Sequence, residues 1–201
     1  MTEPYRVIGP LSSRAFRVVW ALEELGLGYE LLPVAPGSEA ARAWNPSGKV
    51  PALVVGETVL TDSVAIVQYL ADAHGGLTFP AGTLERARQD GFTQFVVDEI
   101  DGPLWTAAKH RFVLPEALRL PAIKETARAE FAASVETLER RLGDGPFLMG
   151  ERFTVPDLRR GHCVGWAAAA RFAVPGGRLG AYFRRIRDRP AYARTAAASR
   201  G

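Results

Sequence analysis

Apolar residues recur along this chain with two different periods, and the change falls near residue 80. In the first part, strand and helix signals alternate. Tyr5–Gly9 (YRVIG) is short, β-rich and closed by Gly9-Pro10, which predicts a strand. Ala15, Val18, Val19, Leu22 and Leu25 then follow helical spacing, and Gly26 and Gly28 end that helix. Tyr29–Val34 (YELLPV) predicts a second strand. Asn45–Leu60 predicts a loop and then two strands, with Gly56-Glu57 as the hairpin turn. Asp62–Gly76 predicts a helix stopped by Gly75 and Gly76. The order β-α-β-loop-β-β-α implies a small sheet with helices packed on it.

After Pro80 the strand signals stop. Phe92, Phe95, Val96 and Ile100 share one helical face, and so do Phe131, Val135, Leu138 and Leu142. Further helices are predicted from near Pro156 and over about Leu179–Arg187. This half reads as all-α. The Gly- and Pro-rich stretch His74–Thr83 marks the boundary, so the expected domains are residues 1–78 and 84–201. The Ala-rich tail is too short to assign, and there is no internal repeat or low-complexity tract.

Composition narrows the class of protein. Lys and Arg number 25 against 22 Asp and Glu, a net charge of +3, and no Lys/Arg run marks a nucleic-acid tail. The single cysteine, Cys163, allows no intramolecular disulfide and suits a reducing cytosol. The N-terminus lacks the layout of a signal peptide, and no apolar run approaches the ~20 residues of a membrane span. A cytoplasmic protein with no nucleic-acid or membrane partner is expected. His74, His110 and His162 match no metal-ligand spacing, so no metal is expected either.

Three local features of the first half carry chemistry. Ser12-Ser13 stands before the opening helix, where a hydroxyl either caps the helix or points at a ligand. In Lys49-Val50-Pro51, the proline is either a trans residue that starts an edge strand or a cis residue. If it is cis, the N–H and C=O of Val50 are offered to an extended peptide. Asp62-Ser63 reads as a helix N-terminus. It is either a plain cap or a site where N–H groups and the Ser63 hydroxyl take a carboxylate while Asp62 pairs with an ammonium. Further on, Thr154 and Asp157 read as an acidic capping box, a folding feature.

The segments LSSRAFRVVWALEELGLGYE, NPSGKVPAL, LTDSVAIVQYL, RFTVPDL and RDRPAY occur in the order and spacing of the glutathione transferase family, which the chain resembles over nearly its whole length. The resemblance implies an α/β thioredoxin-like N-terminal domain followed by an all-α helical-bundle C-terminal domain. It implies a homodimer that uses glutathione as co-substrate. Ser12, five residues before Arg17, aligns with the activating serine of the serine-type classes, with Ser13 as the fallback. The resemblance gives Val50, before a cis Pro51, to the cysteinyl backbone of glutathione. It gives Asp62 and Ser63 to the γ-glutamyl end and Lys49 to the glycyl end. Trp105, Phe112 and Trp166 are the apolar candidates for the electrophile pocket, against plain core packing. Tyr5 lies too early for a tyrosine-type enzyme, and Arg14 stands where some bacterial classes carry a cysteine. The expected activity is conjugation of glutathione to small hydrophobic electrophiles, or reduction of a peroxide. A zeta-like cis–trans isomerase and a non-catalytic binding protein of the same fold are the alternatives.

Overall fold

The structure is a computed structural model that describes residues 4–174 and 176–199. Packing divides the chain into two units, Met1–Pro80 with Arg187–Gly201, and Ala81–Ile186.

The first unit is built on a four-stranded mixed sheet in the order β2-β1-β3-β4. The strands are β1 (Tyr5–Ile8), β2 (Tyr29–Leu32), β3 (Ala52–Val55) and β4 (Thr58–Thr61). β1 runs parallel to β2 and antiparallel to β3, and β3 and β4 form the predicted hairpin around Gly56-Glu57. β2 ends two residues earlier than its apolar run. Pro33 has no N–H to give to a ladder, and the Val34 N–H turns back to Leu32 O at 2.8 Å. Helices α1 (Ala15–Leu25) and α3 (Ser63–His74) pack together, and Val18, Val19 and Leu22 of α1 and Ile66, Val67 and Leu70 of α3 are fully buried. Gly26 caps α1 in the left-handed region at φ 68°, with its N–H on Leu22 O. A short α2 (Glu39–Arg42), capped by the Ser38 hydroxyl accepting from Ala41 N–H at 3.1 Å, lies in the loop before β3. Four residues are too few to leave a period in the sequence.

α1 is buried on more faces than its apolar stripe predicts, because Phe16, Arg17, Trp20 and Ala21 are covered as well. The unassigned tail contributes to that cover. It forms α9 (Pro190–Ala198), which packs against α1. Tyr192 lies 4.9 Å from Trp20 and 5.5 Å from Phe16, ring centroid to centroid. Arg189 forms a two-pronged pair with Glu24 at 2.6 Å, and Arg194 meets Glu23 at 2.5 Å. Residues 187–201 therefore group with the first unit, although the sequence pattern assigns them to the helical half.

The second unit is helical: α4 (Leu84–Phe95), α5 (Gly102–Ala108), α6 (Ile123–Arg141), α7 (Val155–Ala169) and α8 (Gly177–Arg187). Thr83 caps α4 by accepting from Arg86 N–H at 3.2 Å. A π-helical turn, Val96–Asp101, joins α4 to α5, and a second one, Lys109–Val113, follows α5. A π turn inserts a residue and rotates the helix face. Val96 and Ile100 are accordingly in the core, while Phe92 and Phe95 are only half-buried and pack on the Arg141 guanidinium at 4.4 and 4.8 Å. On α6, Phe131, Val135 and Leu138 are buried as their spacing predicts. At the start of α7 the Asp157 carboxylate accepts from Thr154 N–H at 2.9 Å, Thr154 Oγ1 at 3.0 Å, Leu148 N–H at 2.9 Å and Tyr182 Oη at 2.8 Å. Burial raises the Asp157 carboxyl above its ordinary value, and these four donors offset only part of that rise.

Candidate active site

The sheet register brings the three chemistry-bearing segments of the first unit to one end of the sheet. Ile8 pairs with Ala52, and Ala52 pairs with Thr61. The turn after β1 (Gly9–Arg14), the approach to β3 (Lys49–Pro51) and the start of α3 (Asp62-Ser63) therefore lie side by side. The Val50-Pro51 peptide bond is cis. Among the described residues, neither the N–H nor the C=O of Val50 has a hydrogen-bond partner. Gly9 sits against Val50 at φ 127°, and a Cβ at Gly9 would come within 2.8 Å of Val50 Cβ. Only glycine fits there, both in backbone angle and in space.

The two serines divide the work that the sequence left shared. The Ser13 hydroxyl donates to Pro10 O at 2.7 Å and accepts from Ala15 N–H at 3.1 Å, so it is consumed by the turn into α1. Ser12 is exposed, and its hydroxyl has no partner among the described residues.

At the third segment, Asp62 caps α3 through its carboxylate, which accepts from Val64 N–H at 2.7 Å. Its backbone sits at φ 69°, ψ 123°, a region that non-glycine residues rarely adopt and that concentrates at ligand sites. Ser63 is only 2% exposed, yet its hydroxyl makes no hydrogen bond among the described residues. Lys49 is held through its backbone: Asn45 Nδ2 donates to Lys49 O at 2.9 Å, and the Lys49 N–H donates to Ser47 Oγ at 3.3 Å. Its side chain is exposed and has no partner among the described residues.

Comparison with known proteins decides the family. Residues 9–78 match the glutathione S-transferase N-terminal domain and residues 97–197 match the glutathione S-transferase C-terminal domain. The chain belongs to the glutathione S-transferase family. It is 30% identical over 155 residues to the Escherichia coli O157:H7 glutathione S-transferase GstA, covering 74% of this chain and 72% of that one. It is also 30% identical over 156 residues to a maleylacetoacetate isomerase of Rhizobium meliloti, covering 73% of each. A theta class glutathione S-transferase from Xanthomonas axonopodis pv. citri, solved with glutathione bound, aligns over 97% of each chain with a TM-score of 0.78 and 28% identity.

In this transferase the three aromatic candidates of the second unit differ in setting. Trp105 is half-buried, and so is Trp166, whose ring lies 5.1 Å from that of His162. Phe112 is exposed, on the π turn after α5. Among the described residues, no group of three or more His, Cys, Asp or Glu is arranged to hold a metal ion. Gly9 is the site residue that sequence reasoning missed. Its only signal was a glycine between an apolar strand and a proline, which reads equally well as a plain turn.

Proposed function

We propose that this glutathione transferase binds glutathione at the Gly9–Arg14, Lys49–Pro51 and Asp62–Ser63 end of the sheet, with Ser12 as the residue that activates the thiol. The observation that carries the assignment is the division between the serines: Ser13 is committed to the backbone on both sides, and Ser12 is not. The unpaired backbone of Val50 suits the cysteinyl backbone of the tripeptide, pairing as an added strand does. The Ser63 hydroxyl, which has no partner among the described residues, and the α3 N-terminus suit a carboxylate, and the exposed Asp62 carboxylate suits an ammonium. The free Lys49 ammonium suits the glycyl carboxylate.

The Ser12 O–H would donate to the sulfur and so favour its charged form. An ordinary thiol with pKa about 8.5 is only about 3% thiolate at pH 7. A shift of about two units raises that fraction about 25-fold. The lower basicity takes back about eightfold in nucleophilicity, on a Brønsted slope of about 0.45. The net gain is about threefold. Most of the acceleration therefore has to come from holding the electrophile beside the sulfur. The thiol proton passes to solvent, the sulfur forms a bond to the electrophilic carbon, and a leaving group departs with its electron pair. Trp105, Phe112 and Trp166 are the residues we propose for the electrophile, a small apolar molecule.

We also propose a cytoplasmic homodimer. Val59 of β4 and Tyr69 of α3 are apolar side chains left partly exposed on the first unit and available to a second copy. Sedimentation equilibrium tests that. Retention on immobilised glutathione, followed by conjugation of a generic aryl halide, tests the activity. Isomerisation of a cis-enone diacid without conjugation would select the isomerase alternative. Binding with no turnover of either substrate would select the non-catalytic one.

A further inference from the structure

The connection between α5 and α6 displays a cluster of apolar side chains. Eight large apolar residues are exposed among the described residues, and four of them fall within nine positions: Phe112 (64%), Val113 (46%), Leu118 (61%) and Leu120 (61%). The segment is tied down from within. Arg119 Nε donates to Leu114 O at 2.7 Å, its Nη2 donates to Phe112 O at 3.4 Å, and the Leu120 N–H donates to His110 Nδ1 at 3.1 Å. These bonds hold a short turn, Glu116–Leu118, in place and present Phe112 and Leu118 without the usual ordering cost. Charge follows the same segment. Residues 109–122 carry Lys109, Arg111 and Arg119 against the single acid Glu116. The Lys109 and Arg111 side chains have no partner among the described residues, and Arg119 bonds only neutral carbonyls, so none of the three is paired with an acid there.

We propose that residues 109–122 form a reversible docking loop for the surface of an anionic lipid bilayer. Exposed aromatic and aliphatic side chains beside uncompensated cations are what an interfacial contact requires: apolar tips at the headgroup–acyl boundary and cations on the anionic headgroups. The sequence expectation of no membrane partner rested on the lack of a spanning stretch, and a surface contact needs none. Among the described residues no helix is long and apolar enough to cross a membrane, so such a contact is peripheral. Phe112 is shared with the residues proposed for the electrophile, but the vesicle assay contains neither glutathione nor electrophile, so failure of one reading is distinguishable from failure of the other.

The test is co-sedimentation of the full chain with vesicles of equimolar phosphatidylglycerol and phosphatidylcholine, and with phosphatidylcholine alone, at low and high salt. The protein is expected to sediment with the anionic vesicles at low salt, weakly with the neutral ones, and less as salt rises. Phe112→Ser with Leu118→Ser should lose at least about tenfold in partitioning. Arg111→Glu should lose about 25-fold, at about fivefold for each of the two units of charge it changes. Leu84→Ser, which removes an exposed apolar side chain elsewhere, should change nothing. Equal sedimentation with neutral and anionic vesicles, or none with either, overturns the proposal. So does a double variant that still sediments, or one that alters the oligomeric state while leaving vesicle binding intact. Should a variant fail to fold, the wild-type arms alone decide.

Discussion

Substituting Gly9 by alanine should damage both the fold and the glutathione site, and the size of each effect follows from local geometry. The residue sits at φ 127°, where an L side chain costs about 1–3 kcal/mol. Its new Cβ would stand 2.8 Å from Val50 Cβ and 3.1 and 3.3 Å from the two Val50 methyl groups. Ordinary carbon contacts begin near ~3.5 Å, so Val50 would have to retreat by roughly 0.5–1 Å. Overpacking of that kind adds about 1–3 kcal/mol. At about 2–4 °C per kcal/mol for a chain of this size, the melting temperature should fall by at least about 4 °C. The Val50 backbone is the proposed partner of the tripeptide, and a shift of about 1 Å in a positioning group costs up to about 100-fold. Thermal unfolding followed by circular dichroism gives the first quantity, and KM for glutathione at fixed electrophile gives the second. A Gly9→Ala protein with wild-type melting temperature and wild-type KM would refute the reasoning. Loss of stability with no change in KM would refute only the role of Val50.

Ser63→Ala removes a hydroxyl that has no partner among the described residues, so stability should change by less than about 0.5 kcal/mol. KM for glutathione should rise roughly 10–100-fold, the value of a hydrogen bond to a charged group; an unchanged KM would remove Ser63 from the site. Asp157→Asn sets an amide N–H₂ against the Thr154 N–H or the Leu148 N–H and should cost about 1–3 kcal/mol. Because the Asp157 carboxyl is raised above its unfolded value of about 3.9, the native state holds that proton more tightly than the unfolded chain. The wild-type group therefore contributes most below about pH 4, and its contribution declines as pH rises through the raised native value. Urea unfolding of both proteins from pH 3.5 to 7 should show the gap between them narrowing with pH, and a widening gap would contradict the assignment.

Much of this fold was legible because its elements leave a period in the sequence. The four strands, α1, α3 and the helical second half follow from spacing and from Gly and Pro punctuation. What escaped did so for physical reasons. α2 is a single turn, and α9 is short and alanine-rich, with little contrast between faces; α9 is fixed by Tyr192 on Trp20 and by two Arg–Glu pairs more than a hundred residues apart in sequence. The π turns rotate the face of α4, which no fixed period anticipates. Charged residues in a helix read as solvated, yet Arg17, Arg159 and Arg160 are almost entirely buried, with Arg160 packed 4.5 Å from the Phe183 ring. In the site, residue types and spacing singled out Ser12, Val50, Asp62 and Ser63, but two adjacent serines look alike in a sequence. Only the hydrogen bonds of Ser13 to Pro10 and Ala15 separate them.

Titration of the bound glutathione thiol tests the central claim most directly. Thiolate absorbance near 240 nm, followed against pH in the binary complex, gives the pKa with no electrophile present. With Ser12 as the activating donor, the wild-type complex and Ser13→Ala should titrate about two units below free glutathione, and Ser12→Ala should return close to the free value while still binding glutathione. A Ser12→Ala complex that titrates like wild type would contradict the account, and a Ser13→Ala complex that alone loses the shift would move the role to the neighbouring hydroxyl.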